Sequence, residues 1–212
     1  MVHCPTSNSK LAAGVCRVRD LLARGVNVGL GTDSASSNNS LDMFAEMKLS
    51  CLLAKVRAAP VLSVYVCLYV CVCVRASACI HTHTCATYLR QVTTGDASAV
   101  PAAAALTMAT LGGARALGLG AVTGSLLPGK AADFITLDLS SVEARPLYDV
   151  VGHIVYACGR EHVRDVWVGG RPLMRGRALR TIDEAGVLAD ADAWRARIAG
   201  VRGSDGAPMH AL

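Results

Sequence analysis

The feature that most constrains the fold is a short apolar segment, "VNVGL" at residues 26–30, which is followed closely by a single carboxylate, Asp33. The segment is rich in Val and bounded by glycine, which is typical of a strand buried in a parallel sheet. Apolar residues with helical spacing precede it at 11–24 and follow it at 40–56. Helix, strand and helix in this order predict an α/β fold.

Several residues indicate where the predicted helices begin and end. Gly25 stands where the first helix should stop, and Ser40 is a candidate N-cap for the second. Further along, Pro101 suits the first turn of a helix, Thr110 can cap a second short helix, and Gly118 can end it. Two packed helices are therefore expected in this Ala-rich region.

The pattern changes after Gly120, where short apolar stretches alternate with turn residues. The stretches "GSLLPGKAADFITLDL" and "HVRDVWVGGRPLMRGRAL" predict short strands that are joined by Pro-Gly and Gly-Gly turns. These strands would form an antiparallel β unit. The later stretch "DEAGVLADADAWRARIAG" predicts one last amphipathic helix.

Composition narrows the range of functions. The 212 residues are 52% hydrophobic and 17% charged, which is typical of a globular chain. The 21 Lys and Arg residues are scattered, so nucleic acid is not expected as a partner. No apolar targeting segment follows Met1, and most of the nine Cys crowd into one region. Reduced thiols and a cytoplasmic location are the expectation.

Residues 57–91 break the α/β pattern. They contain the almost wholly apolar run "VLSVYVCLYVCVCV" followed by "CIHTHTC". Repeated GT dinucleotides encode alternating Val and Cys, and repeated CA encodes alternating His and Thr. We therefore interpret this low-complexity insert as translated repeat DNA that is not native to the fold. A membrane anchor at 61–80 is the alternative, but its apolar run is shorter than the roughly 20 residues that a span needs, so no membrane association is expected.

The same insert contains ligand types that suit zinc. Cys79, His81, His83 and Cys85 follow one another closely, but their spacing differs from the usual Cys and His arrangements of zinc sites. We interpret this group as a product of the repeat and not as a metal site.

Asp33 is the leading candidate for chemistry. In parallel α/β folds the loops at the carboxyl ends of strands carry the active site, and a carboxylate there can bind a metal and accept a proton from water. The alternative is that "TDS" is only a turn capped by an acid. The local pattern leaves both interpretations open.

Four blocks of sequence carry a family resemblance. They are "HCPTSNSKLAAG" at 3–14, "GVNVGLGTDSASSNNSLDMFAEMKLSCLLAK" at 25–55, "TGDASAVPAAAALTMATLGGARALGLG" at 94–120 and "GSLLPGKAADFITLD" at 124–138. In this order they resemble the carboxy-terminal half of an S-adenosylhomocysteine/methylthioadenosine deaminase of the amidohydrolase superfamily. Guanine deaminases and chlorohydrolases are similar at a greater distance.

The resemblance implies a partial (β/α)8 metal-dependent hydrolase barrel with the carboxy-terminal part of a small β-sandwich domain. Residues 1–56 would be the last strands and helices of the barrel, and 92–120 the helices that close it. Residues 57–91 would be the insert. The β-sandwich portion would cover 121–180, and a carboxy-terminal helix and tail would cover 181–212.

The resemblance also implies a site and a reaction. Asp33 would be a catalytic residue and a ligand to zinc, or to another divalent metal such as iron. His3 would lie beside the substrate pocket, and Ser34, Ser37 and Asn38 would shape the loop at its rim. The implied reaction is hydrolytic deamination of a small purine-type substrate.

The sequence departs from the family in one important respect. The family holds its metal with a His-x-His pair on the first strand and with histidines on the fifth and sixth strands, and residues 1–212 contain no counterpart of these strands. An inactive, truncated remnant is therefore the alternative function. A partial barrel would also expose a sheet edge, so the isolated chain is expected to be poorly soluble. The sequence leaves open whether the chain forms an oligomer.

Overall fold

The computed structural model of the chain describes residues 1–57 and 96–199. Both the proposed membrane anchor and the Cys79 to Cys85 group lie outside these residues. The first described part contains, in chain order, β1 (Val2–His3), α1 (Pro5–Lys10), α2 (Val18–Ala23), β2 (Gly29–Leu30) and α3 (Met43–Arg57). Strands β1 and β2 pair in parallel, with His3 opposite Leu30.

The second described part begins with a helix and ends with a helix. Its elements are α4 (Ala102–Thr107), a π-helical segment (Met108–Gly112), α5 (Gly113–Ala116), β3 (Phe134–Leu137), α6 (Val150–Tyr156), β4 (Val163–Val168), β5 (Arg171–Arg175), β6 (Ala178–Leu179) and α7 (Glu184–Ala199). Short 3₁₀ turns cover Val142–Ala144 and Arg160–His162. The four strands form an antiparallel sheet in the order β3-β4-β5-β6.

A mixed α/β fold, as the sequence predicts, is confirmed. Helix α3 packs against α4 and α6, and the π-helical segment packs against β2. Apolar side chains from all of these elements meet in one core, which includes Met47, Cys51, Ala105, Met108 and Val155. Strand β2 therefore packs against a helical layer. None of the helices in the described parts of the chain is long and apolar enough to cross a bilayer.

Glycine permits the close approach between β2 and the π-helical segment. A Cβ atom on Gly112 would lie 2.5 Å from the backbone oxygen of Val28, and one on Gly29 would lie 2.9 Å from the Cα atom of Gly113. Real Cβ atoms do not come this close to backbone atoms. The side chain of Asn27 adds a hydrogen bond to the Gly112 carbonyl oxygen at 3.0 Å. The start of β2 is thus fixed against the helical layer.

The helix predicted for residues 11–24 is confirmed only over Val18–Ala23, where it forms α2. Residues 11–17 are not helical, because Ala12 and Gly14 both adopt positive φ values, which a helix does not contain. Pro5 begins α1 at a position where its missing N–H costs nothing. Gly25 follows the end of α2 with a φ of +73°, so the predicted stop is confirmed.

Two other predicted helix ends are wrong. The N-terminus of α3 is capped by Asp42 and not by Ser40, because the Asp42 carboxylate accepts the backbone N–H of Phe44 at 2.9 Å. Thr110 does not start a new helix, since its hydroxyl donates to the Leu106 carbonyl oxygen within a helical backbone that continues from Ala102 to Ala116. The π-helical segment replaces the predicted break.

The predicted antiparallel β unit is confirmed, although its first stretch contributes only β3. Gly169 and Gly170 form the turn between β4 and β5, both with positive φ. The rings of Phe134 and Trp167 stack across β3 and β4 with centroids 5.7 Å apart. The predicted last helix is also confirmed as α7.

Candidate active site

Asp33 lies in the loop that begins where β2 ends. Its φ is +61°, a left-handed conformation that few residues other than glycine adopt and that Asp tolerates better than most. Its side chain is exposed at this end of the parallel pair. The fold therefore places a carboxylate at the carboxyl end of a buried strand, as the sequence predicts.

Two serine hydroxyls hold the Asp33 carboxylate. Ser7 Oγ, from α1, and Ser37 Oγ, from the same loop, each donate to Asp33 Oδ2 at 2.7 Å. Hydrogen bonds from Ser37, Ser7 and the Ser34 backbone lower the pKa of Asp33 below its usual value. Neither hydroxyl bonds to Oδ1, so the carboxylate is oriented through one oxygen. Because its pKa is lowered, the carboxylate is ionised at neutral pH.

Cys4 borders the same carboxylate. Its pKa is raised by burial and then by the negative charges of Asp33 and Glu46, while the Asp33 backbone N–H acts in the opposite direction. Its Sγ would lie 3.3 Å from a Cβ atom placed on Gly31, so the thiol sits close to the strand end. The loops after β1 and β2 therefore meet at Asp33 and Cys4.

His3 is the last residue of β1 and is buried inside the protein. Its side chain is only 3% exposed, and its Nδ1 atom has no hydrogen-bond partner in the described parts of the chain. Burial lowers the pKa of His3, which favours the neutral imidazole. The substrate-pocket role expected for His3 stays a prediction.

The three loop residues predicted to shape the pocket differ in exposure. Ser34 is exposed, whereas Ser37 and Asn38 are buried, with 5% and 1% of their surfaces accessible. Ser37 contacts Asp33 directly, and Asn38 donates to the Thr32 carbonyl oxygen at 3.0 Å. Ser37 and Asn38 therefore support the acid from inside the protein, and their contact with a substrate stays a prediction.

Sequence reasoning did not single out two other residues of the site, Ser7 and Glu46. Ser7 is one of several small polar residues in "CPTSNSK", so nothing in the pattern distinguishes it. Glu46 gives a clearer signal, because it is an acid at helical spacing from Met43 and Ser50 on the inner face of α3. A carboxylate on a face that packs inward is rare unless it has partners.

A polar cavity lies elsewhere, beside the antiparallel sheet. It has a volume of about 600 Å³, and Asp33 is not among the residues that line it. Its charged residues already contact protein groups: Asp138 lies 3.9 Å from Arg164, and Arg177 donates to three backbone carbonyl oxygens. The strand end at Asp33 therefore remains the candidate active site.

The Asp33 carboxylate fits a divalent metal as a single ligand. It is ionised, oriented and exposed, and carboxylate oxygen is a common ligand of zinc. Within residues 1–57 and 96–199, no group of three or more His, Cys, Asp or Glu side chains could enclose an ion. The described residues thus contain one carboxylate that suits a metal ion and no complete set of ligands.

Comparison with known proteins defines the class. The amidohydrolase family matches residues 1–71 and 73–173. The chain therefore belongs to the amidohydrolase family.

Two bacterial relatives illustrate the similarity in sequence. A 5-methylthioadenosine/S-adenosylhomocysteine deaminase of Teredinibacter turnerae is 37% identical over 202 residues, which cover 95% of this chain and 38% of that protein. A deaminase of the same name from Moorella thermoacetica is 40% identical over 189 residues, which cover 89% of this chain and 36% of that protein. The chain thus spans less than two-fifths of each relative.

Solved structures agree with this assignment. An adenosine deaminase of Xanthomonas campestris with bound zinc superposes with a TM-score of 0.74 at 40% identity, covering 94% of this chain and 37% of that one. The Escherichia coli guanine deaminase superposes with a TM-score of 0.56 at 21% identity, covering 82% of this chain and 33% of that one. The second similarity concerns the fold alone.

Proposed function

We propose that this chain is the carboxy-terminal part of a hydrolase that removes the amino group from a purine-type substrate, with Asp33 as its catalytic acid-base residue. Family membership and deaminase relatives at 37% and 40% identity support the reaction class. The observation that carries the proposal is the Asp33 carboxylate, which two serine hydroxyls orient at the end of β2.

We also propose the architecture in which this site would work. Parallel strands β1 and β2, each followed by a helix, are consistent with two neighbouring units of a (β/α)8 barrel. The antiparallel sheet β3-β4-β5-β6 would then be the carboxy-terminal part of a β-sandwich. In a barrel of this kind, catalytic side chains lie in the loops after the strands, and Asp33 lies in such a loop.

Asp33 would hold zinc, or another divalent metal such as iron, through its carboxylate. When bound, such a cation supplies Lewis acidity that makes a nucleophile available from water near neutral pH. Asp33 itself would accept the proton from the attacking water and return it to the departing amine. Ser7 and Ser37 orient the carboxylate through Oδ2, so that Oδ1, which neither hydroxyl contacts, could accept this proton.

A chimera tests the proposal. The segment of the Teredinibacter turnerae deaminase that matches this chain would be replaced by residues of this chain, and ammonia release would be measured with zinc present. Methylthioadenosine, S-adenosylhomocysteine, adenosine and guanine are the substrates, and the unaltered relative is the control. We expect deamination of at least one of them.

The same chimera distinguishes the alternative hypothesis. A protein that folds and binds zinc but releases no ammonia from any of these substrates would favour the inactive remnant. The comparisons give no support to that alternative, since the matched relatives are named as deaminases.

A further inference from the structure

The inner face of α3 carries a charged residue that the proposed reaction does not use. Glu46 is completely buried, and no salt bridge reaches it within residues 1–57 and 96–199. Burying a carboxylate without a cation is costly unless hydrogen bonds compensate. Glu46 therefore needs hydrogen-bond partners that compensate for the cost of its burial.

Each oxygen of Glu46 binds one of the two segments that meet at Asp33, the first turn of α1 and the loop after β2. Its Oε2 accepts the backbone N–H of Thr6 at 3.1 Å, and its Oε1 accepts the side-chain amide of Asn38 at 2.8 Å. Thr6 is next in sequence to Ser7, and Asn38 is next to Ser37. Both residues held by Glu46 are thus neighbours of the serines that donate to Asp33.

Asn38 extends this connection to the backbone of the acid. Its amide also donates to the carbonyl oxygen of Thr32, the residue before Asp33, at 3.0 Å. Its Oδ1 accepts the backbone N–H and the hydroxyl of Ser40 at 3.3 Å and 3.1 Å. The left-handed backbone of Asp33 is therefore fixed on its N-terminal side by a residue that Glu46 holds.

From these contacts we propose that Glu46 is a positioning residue, which sets the distance between α1 and the Asp33 loop so that Ser7 and Ser37 reach the same carboxylate oxygen. The proposal rests on the proposed function in that it assigns Asp33 the catalytic role. A purely structural Glu46 would stabilise the fold without affecting the geometry around Asp33.

The substitution Glu46→Gln separates these roles because it keeps the size of the side chain. A carboxylate accepts at both oxygens, whereas an amide has one acceptor and one donor. Gln therefore keeps one of the two hydrogen bonds. At the other, its own N–H group would face the N–H donor of Thr6 or Asn38. The link between α1 and the Asp33 loop would break while the packing of α3 is retained.

Ser50→Ala is the matched control. Ser50 lies one turn further along α3, is 1% exposed, and its hydroxyl has no hydrogen-bond partner in the described parts of the chain. Met47→Ala is a second control, because it removes core packing next to Glu46 and leaves both hydrogen bonds in place. We expect Met47→Ala to lower the melting temperature at least as much as Glu46→Gln.

The first measurement is amide hydrogen exchange on the full 212-residue chain, which needs no activity. Glu46→Gln should accelerate exchange at Thr6, and at Ser37 and Asn38, by about five- to tenfold. The loss of one hydrogen bond raises the equilibrium constant for local opening by about this factor. Exchange in α6 should not change, and neither Ser50→Ala nor Met47→Ala should show the same local pattern. Unchanged exchange at these amides would overturn the proposal.

The second measurement is the kinetics of the chimera. Glu46→Gln should lower kcat by about 100-fold with KM almost unchanged, because misplacing a catalytic group by about 1 Å has such an effect. Full kcat despite faster exchange would overturn the positioning role and leave the proposed function standing. If the chimera with Glu46 intact is inactive, the proposed function fails, and hydrogen exchange alone decides whether Glu46 links α1 to the Asp33 loop.

Discussion

At the scale of the residue, the main feature is an exposed acid in an unusual backbone conformation, whose carboxylate is held by two hydroxyl groups. The strand pattern was sufficient to locate Asp33, because a buried strand that ends in one carboxylate is recognisable in the sequence. Its supports could not be found in the same way. Ser7 lies 26 residues before it in the sequence, and the pairing of β1 with β2 brings the two together.

Ser37→Ala should raise the pKa of Asp33, because the Ser37 hydroxyl contributes most to keeping it low. A depressed pKa stabilises the folded chain above the usual pKa of an acid, and this contribution disappears as the pH falls through the folded value. The variant should therefore lose part of this pH dependence. A carbon-13 NMR titration of the Asp33 carboxyl group in the full chain measures the shift.

Ser36→Ala provides the matched control for this titration. Ser36 is exposed in the same loop, and its hydroxyl contacts Ser34 and not the acid. The pKa of Asp33 should stay as in the parent chain. Equal shifts in the two variants would show that loop composition, and not the Ser37 hydrogen bond, sets this pKa.

At the scale of the element, periodicity predicted which elements exist better than where they end. Helix α3, the antiparallel strands and α7 were predicted from apolar spacing and turn residues. The errors at 11–24, Ser40 and Thr110 arose because local signals compete. Two positive φ values interrupt one helix, Asp42 displaces Ser40 as a cap, and packing against β2 continues the backbone past Thr110.

The contact between β2 and the π-helical segment allows a paired test with two adjacent glycines. Gly112→Ala should destabilise the fold by about 1–3 kcal/mol, because its Cβ atom would overlap the Val28 carbonyl oxygen. Gly113→Ala should be tolerated or slightly stabilising, since its nearest contact would be 3.7 Å and Ala favours helix. Urea unfolding of both variants gives the comparison, and equal stabilities would contradict this packing.

At the scale of the whole molecule, the chain matches 36–38% of the length of its deaminase relatives. The family could be predicted from four sequence blocks, because several motifs in one order are specific. A metal site could not be predicted in the same way, since no group of three or more His, Cys, Asp or Glu side chains within residues 1–57 and 96–199 could enclose an ion. The interpretation of residues 57–91 as a non-native insert stays a prediction.

Removal of residues 57–91 from the chimera tests that interpretation. We expect the shortened protein to keep its deaminase activity and to give a higher soluble yield, because an apolar repeat that serves no packing role promotes aggregation. A chimera in which a Gly/Ser linker of equal length replaces the segment controls for spacing. Loss of activity in both proteins would show that the native residues of this segment are required.

The most direct test of the central claim is the activity and zinc content of the chimera with Asp33→Asn. Asn tolerates the left-handed backbone and can still accept both serine hydroxyls, so the substitution removes mainly the charge. Asp96→Asn is the matched control, because Asp96 also accepts a serine hydroxyl but lies outside the Asp33 loop. We predict that Asp33→Asn lowers kcat by at least about 100-fold and weakens zinc binding, whereas Asp96→Asn keeps the parent values. An Asp33→Asn chimera with the activity and zinc content of its parent would contradict the catalytic role of Asp33.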